Sequence, residues 1–459
     1  MRRGAILAGI SSLFVLASCG WIEESREAAK HDAAGLRALE AVERGDLETL
    51  RSVLGEDPKA ANGKRWQTGR RKGAMRTLVE TALSAAIRSR NAEAVELLLA
   101  SGADPNLELD SGDAPLEVLA GAGPHDDAAL ALAHALVARG ARLAPRTVER
   151  TGGSVSPLLA LIGSSNAAGP GDGLLRLYAS DPAALRAMDL RGRTALHHAA
   201  RGCDDRTVEV LLESGADPNV RSVRAAEAFP ADRAADTPLH DAASCTSLGS
   251  IFALCAGGAN PRLANEAGET PVDALRRIMT PEVLRSDTET MRRSRASVVA
   301  ALSPAGPCEA WYGRFQQSGR PASWEAVHAA RYEFACGFGE RFDCGQAGWA
   351  RHNGEGAAVD LAKAMDAYRK ACALGGAWSC GMVGSLHDNG EGVPPDPAEA
   401  SRWFTKGCDG GDGQSCYRLG LLARDGRGVE ADPARALALF EAGCAKKYER
   451  ACEAARASR

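Results

Sequence analysis

Eight cysteines near the end of the chain share one register. Cys336, Cys372, Cys408 and Cys444 stand 36 residues apart, and Cys344, Cys380, Cys416 and Cys452 each follow eight residues later. A fixed period over four copies means a stack of like units, each too small to bury its own apolar face and each completed by its neighbour. The spacing reads as one disulfide per unit, and disulfides that persist belong to an oxidising compartment. Free thiols or a metal array are the alternatives, although zinc ligands within a motif usually sit about two to four residues apart rather than eight.

Other positions keep the same period. Asn353-Gly354-Glu355-Gly356 returns as Asn389-Gly390-Glu391-Gly392 and as Asp425-Gly426-Arg427-Gly428. Asp360, Asp396 and Asp432 stand where a helix start needs a capping oxygen. Ala364, Ala400 and Ala436 recur, as do Tyr368, Phe404 and Phe440. Each unit is expected to be two helices joined around the cysteine pair, with a Gly-x-Gly turn leading to the next. These residues resemble the Sel-one-like repeat family, a relative of the tetratricopeptide repeat, and its secreted cysteine-rich members in particular. The resemblance covers about 150 residues. It implies a right-handed superhelix of αα-hairpins, each pinned by a bridge that contributes about 2–3 kcal/mol.

An earlier stretch has a looser period. Residues 192–219 read as turn, short helix, tight connection, second helix and glycine cap, with Leu196, Ala199 and Ala200 on one apolar face and Val208, Val210, Leu211 and Leu212 on the other. Thr194 stands where its hydroxyl can cap the first helix. Thr237-Pro238-Leu239-His240-Asp241-Ala242 and Thr194-Ala195-Leu196-His197-His198-Ala199 carry the signature of the ankyrin repeat family, which this segment resembles. Degraded copies begin at Thr81, Ala114, Ser156 and Thr270, and residues 36–54 look like an opening repeat, for about seven in all. Insertions fall near 62–76, 121–127, 164–173 and 221–235. The resemblance implies that His197 and His240 fix a turn by hydrogen bonds and that His198 occupies a variable, exposed slot.

The fold class expected is therefore all-α: a fused solenoid with an ankyrin array over 33–290 and a disulfide-pinned Sel-one-like array over 291–459. Cys308 lies 36 residues before Cys344, in a second-cysteine slot whose first-cysteine partner is Ala300. The helix near Met291–Leu302 then opens a hairpin that lacks its bridge, and Ser303–Pro307 is a turn rather than a linker. Cys203 and Cys245 fall at nearly equivalent first-helix ends of adjacent repeats, so a bridge between them is one pairing the array allows. Cys255 takes a core leucine slot and reads as a small buried hydrophobe. Cys308 is left as a thiol with no neighbour to activate it.

The N-terminus has Arg2 and Arg3, an uncharged and mostly apolar run from Gly4 to Ala17, and then Leu16-Ala17-Ser18-Cys19. This resembles a bacterial lipoprotein signal, with residues 1–18 removed, Cys19 acylated and 19–32 a tether. Gly20, in place of Asp, implies the outer membrane, facing the periplasm. The rest is ordinary soluble composition: 459 residues, 45% hydrophobic, 25% charged, 5% aromatic, net charge −4. So balanced a charge excludes nucleic acid as a main partner.

Catalytic constellations are absent from the sequence. No Ser-x-x-Lys, Gly-x-Ser-x-Gly, His-Glu-x-x-His or Cys-x-x-Cys occurs, and no cofactor is implied. Cysteine-rich Sel-one-like relatives are sometimes described as penicillin-binding or β-lactamase-like, which keeps an enzyme as the remotest alternative and peptidoglycan or peptide binding as a nearer one. The reading is a non-catalytic, envelope-anchored binding protein, either a scaffold or an immunity-type inhibitor. Its protein partner is expected on the variable slots Ala85, Arg88, Val118, His198, Arg201, Asp241 and Ser244. A basic insertion, Lys64-Arg65-Trp66 with Arg70, Arg71, Lys72 and Arg76, offers a further contact through Trp66.

Overall fold

The computed structural model describes residues 33–68, 76–147, 154–164, 170–223, 235–319 and 322–459. The signal-like N-terminus with Cys19, the tether, Arg70, Arg71 and Lys72 lie outside the described residues, as do the side chains of Trp66 and Arg76. The chain divides into two compact units between Ala235 and Asp236, inside the stretch expected to form the first array.

In the first unit helices come in pairs. They are α1 (33–44) with α2 (Leu47–Glu56), α3 (Ala82–Arg88) with α4 (Ala92–Ala100), and α5 (Pro115–Gly121) with α6 (Asp127–Ala138). Then come α7 (Pro157–Ser164) with α8 (Asp172–Tyr178) and the short α9 (Pro182–Arg186), and α10 (Ala195–Arg201) with α11 (Asp205–Glu213). First helices pack in succession, α3 on α5, α5 on α7 and α7 on α10, and second helices do the same from α2 through α4, α6 and α8 to α11. Leu83, Leu116, Leu158 and Leu196, the leucines of the four signature copies, are all buried in the first layer. No helix here could bury its apolar face alone, so the stack itself supplies the core.

Two short hairpins interrupt this all-α plan. β1 (Lys64–Thr68) pairs antiparallel with β2 (Arg76–Thr81), and β3 (Arg146–Thr147) with β4 (Ser154–Val155). The flanks of the 62–76 insertion are thus strands in a fold expected to be all-α. Leu78, Val79 and Thr81 supply the β-branched and apolar residues a ladder favours, and the dense arginines hide that pattern.

The second unit starts with α12 (Pro238–Cys245) and α13 (Leu248–Ala256), followed by α14 (Pro271–Ile278) and the short α15 (Pro281–Ser286). Helix α16 (Glu289–Ala301) then pairs with α17 (Pro307–Ser318) across a tight turn, as the spacing of Ala300 and Cys308 predicts. Helix α13 packs on α16, α17 and α18, and the Phe252 and Phe334 rings meet at 5.7 Å, so one repeat type runs into the other without a linker. Cys308 is not a free thiol, nor is Cys255 a reduced core residue: the two form a disulfide with Cα atoms 5.2 Å apart. The packing of α13 against α17 brings them together, a contact between unlike repeats that no period reveals. Cys203 and Cys245 are disulfide-bonded too.

Four helix pairs complete the chain: α18 (Trp324–Gly337) and α19 (Arg341–Asn353), α20 (Leu361–Ala373) and α21 (Ala377–Asn389), α22 (Pro397–Asp409) and α23 (Gly413–Asp425), α24 (Pro433–Ala445) and α25 (Glu449–Ala457). Each is crossed by its bridge, Cys336–Cys344, Cys372–Cys380, Cys408–Cys416 and Cys444–Cys452, with Cα separations of 4.4–4.8 Å. Asp360, Asp396 and Asp432 cap their helices by accepting from the backbone N–H of Lys363, Glu399 and Arg435 at 2.9–3.0 Å. The second glycine of the turn is obligatory for two reasons at Gly356: its φ is +71°, and a Cβ would lie 1.8 Å from the Glu325 carbonyl oxygen. Phe404 and Phe440 are wholly buried, each giving about 1.5–3 kcal/mol of apolar burial.

Candidate functional site

The repeats of the first array begin with a local hydrogen-bond device. Thr81 and Ser84 cap each other, N–H to hydroxyl in both directions, at 2.8 and 3.0 Å. In α10 and α12 a histidine replaces the serine. Thr194 N–H donates to His197 Nδ1 at 3.2 Å, and Thr237 N–H to His240 Nδ1 at 3.1 Å, with the threonine hydroxyl 2.9 Å from the same nitrogen in both. His240 must therefore carry its proton on Nε2, which donates to the Glu269 carbonyl at 2.9 Å. Both histidines are buried and hold turns.

Four residues after the helix-capping position stand Ala85, Val118, His198 and Asp241. Three of these predicted contacts are withdrawn from the surface: Ala85, Val118 and Asp241 are buried, because neighbouring first helices close over that position. His198 is half-exposed rather than open, its Nε2 lying 2.9 Å from Asp189 Oδ2. Burial raises the Asp189 carboxyl, but hydrogen bonds from His198 and from the Arg193 and Arg191 amides outweigh it, so its pKa lies below the usual value.

Seven residues after the cap the chain does reach the surface. Arg88 ends α3, Arg201 ends α10, and Ser244 lies in the last turn of α12; all three are exposed. The intervening first helices present Gly121 and Gly163 at the same position. In the first unit, exposed guanidinium groups thus mark the first and last of these ridges, with glycine between.

The basic hairpin is already neutralised on one side. Arg65 binds Glu43 through both Nη atoms at 2.6 and 2.7 Å and approaches Glu80 at 3.4 Å; Arg88 takes the other Glu80 oxygen at 2.7 Å. Its hydrogen bond to Arg65 holds the Glu43 carboxyl below its ordinary value. Sequence reasoning saw the arginines and missed these acids, which come from α1 and β2. It also missed Asp189, although the signal was readable: Asp189 and Asn265, each five residues before a capping threonine, turn the chain by accepting two backbone N–H bonds apiece. Among the described residues no group of three or more His, Cys, Asp or Glu side chains is placed to hold a metal ion, and no helix is long and apolar enough to cross a membrane.

Family comparison finds repeats of two kinds. The ankyrin repeat family matches residues 80–108 and 191–223, and the Sel1 repeat family matches 345–376, 379–412 and 413–454. Regulatory protein NPR5 of Arabidopsis thaliana is 37% identical over 90 residues, which cover 19% of this chain and only 16% of that protein. A Sel1 repeat protein from Oxalobacter formigenes is 22% identical with a TM-score of 0.28, covering 39% of this chain and 66% of its own. Helicobacter pylori cysteine rich protein B is 29% identical with a TM-score of 0.23, covering 27% of this chain and 87% of its own.

Proposed function

We propose that this chain, which carries ankyrin repeats followed by Sel1 repeats and is thereby a protein–protein interaction scaffold, is held in the bacterial envelope by a lipid on Cys19 and docks a folded protein on its ankyrin ridges. Repeats of both families are in general binding modules without chemistry of their own, and the role is accordingly non-catalytic. The observation that carries the docking surface is the exposure of Arg88 and Arg201 at one equivalent position of two repeats. Guanidinium groups recognise carboxylates through several N–H donors, and Arg88, whose Nη1 already holds Glu80, and Arg201 both keep exposed surface at this position, so an acidic protein face is the partner it fits. An inhibitor of a toxic envelope enzyme and an assembly scaffold both use such a face.

The location rests on two supports. One is the sequence Leu16-Ala17-Ser18-Cys19 after an uncharged run. The other is the set of disulfides, which suits the oxidising periplasm. Incorporation of labelled palmitate that is lost on Cys19→Ala would support the anchor; equal labelling of both would sink it. For the docking surface, a photo-crosslinking side chain replaces Arg201 in cells, with Arg402 on α22 as the control. One strong adduct from position 201 alone is expected. Adducts of equal strength at both positions, or none, would dismiss the ridge.

A further inference from the structure

One face of the Sel1 repeats carries a pattern that the bridges do not require and that reaches the core only through Trp378 and Met382. Phe342, Gln346, Trp349 and Asn353 follow one another along a single side of α19, at helical spacings of four, three and four. Thirty-six residues later the same four positions of α21 hold Trp378, Met382, Ser385 and Asn389. Phe342 is 67% exposed, and Trp349 and Trp378 are each 37% exposed. The two indoles meet at 6.1 Å and join the rows into one surface.

None of these eight side chains ionises, in a chain whose residues are 25% charged. Exposed tryptophan and phenylalanine beside a half-buried methionine, all without charge, are the composition of a protein interface core. The patch is bounded. At the same positions α17 and the turn before it have Gly306, Ala310, Gly313 and Gln317, and α23 has Gln414, Arg418, Leu421 and Asp425.

The ends of α19 say what covers it. Arg341 opens the helix and Glu355 lies two residues beyond its close; both are exposed, and among the described residues neither side chain has a hydrogen bond or ion pair. They are about 20 Å apart along the helix axis. Two copies of this face related by a two-fold axis, with their α19 helices antiparallel, would set Arg341 of each against Glu355 of the other. The uncharged patch between them would pair with itself without burying like charges. We propose that this face is the contact for a second copy of the chain, forming a closed two-fold dimer. The inference is independent of the ankyrin ridges.

Sedimentation velocity of the full-length chain over a concentration series tests it, with Phe342→Asp, Arg341→Glu and Arg341→Glu/Glu355→Arg beside the wild type. The wild type is expected to show a monomer–dimer equilibrium. Phe342→Asp should weaken it by about 100-fold or more. Arg341→Glu should weaken it by about tenfold, and the double exchange should restore it to within about threefold. These residues are exposed, so the variants should melt with the wild type. A wild type that stays monomeric at every concentration overturns the proposal, whatever else binds the face. So does a dimer that survives Phe342→Asp at full strength, which would place the contact elsewhere, including on the apolar run before Cys19. A double exchange no tighter than Arg341→Glu overturns the antiparallel pairing and with it the choice of occupant.

Discussion

Tyr368 lays its ring against Gly348, where a Cβ would stand 2.5 Å from the ring's Cδ1. The same relation returns at Gly384 with Phe404 and at Gly420 with Phe440, so each second helix bares its backbone to the aromatic residue of the following repeat. Tyr368 alone adds a hydroxyl. That hydroxyl is buried without a hydrogen-bond partner among the described residues, and burial pushes its pKa well above the usual tyrosine value. Tyr368→Phe should therefore stabilise the protein by about 1 kcal/mol, since it removes an unpaired buried polar group and keeps the ring. A loss of stability in urea unfolding would mean that the hydroxyl does have a partner, such as a bound water.

The glycine side of the contact makes the opposite prediction. A Cβ at Gly384 would meet Phe404 at 2.7 Å with the ring already locked in the core, so Gly384→Ala should cost about 1–3 kcal/mol despite alanine's better helix propensity. Gly337, in the last turn of α18, has no atom near a Cβ, and Gly337→Ala should be neutral or mildly stabilising. Equal effects of the two substitutions on the denaturation midpoint would contradict the packing.

The bridges should differ in what their loss costs. Cys408–Cys416 closes a sequence separation of 8, for which chain entropy gives about 2–3 kcal/mol, whereas Cys255–Cys308 closes 53 and gives about 4 kcal/mol. Paired alanine substitutions of each bridge, compared by urea unfolding, should show the second as the more damaging. The reverse order would mean that native strain offsets the entropy at Cys255–Cys308.

Why these features differ in legibility is a matter of period. Cys336 to Cys452, the capping aspartates and the ring at 368, 404 and 440 all serve contacts within a repeat or with the next one, so the 36-residue register displays them. Cys255 with Cys308 joins one repeat type to another, a single event with no second copy to compare. Ala85, Val118 and Asp241 failed as surface residues for a related reason. A motif position tells which way a side chain leaves its own helix, but not whether the neighbouring first helix covers it. Arg88 and Arg201, three residues further along, end their helices and so escape that cover.

A left-handed residue offers a further check. Thr246 follows α12 with φ +63°, a region that a β-branched side chain adopts at a cost. Arg90 and Cys203 hold the equivalent position with φ +57° and +58°. Thr246→Gly should raise stability by about 1 kcal/mol, read as a higher melting temperature. A fall would show that the threonine side chain contributes more than its backbone costs.

Glu117 makes the stability of the first unit depend on pH. It occupies the slot that Ser84, His197 and His240 fill in other repeats, and it is 3% exposed. One carboxylate oxygen accepts from the Ala114 N–H at 3.2 Å; the other lies 3.1 Å from Arg146 Nη2, a guanidinium that also pairs with Glu108 at 3.0 Å. Burial pushes the carboxyl up to about 7, with the nearby Asp113 adding slightly, and Arg146 offsets only part of this. Because the folded value is raised, folding binds a proton between the ordinary carboxyl range and pH 7. The protein is then most favoured, as far as this group is concerned, below the unfolded value, and it loses about 3 kcal/mol as pH rises through 7. Many other carboxyls, such as Asp126 and Asp172, are lowered and act in the opposite sense, so the comparison must be between the wild type and Glu117→Gln. The two should be nearly equal in stability at pH 4.5, with the glutamine variant ahead by up to about 3 kcal/mol at pH 8. A difference that stays constant over this range in urea titrations would mean that Arg146 keeps Glu117 ionised throughout, with the pair holding its charge inside the stack.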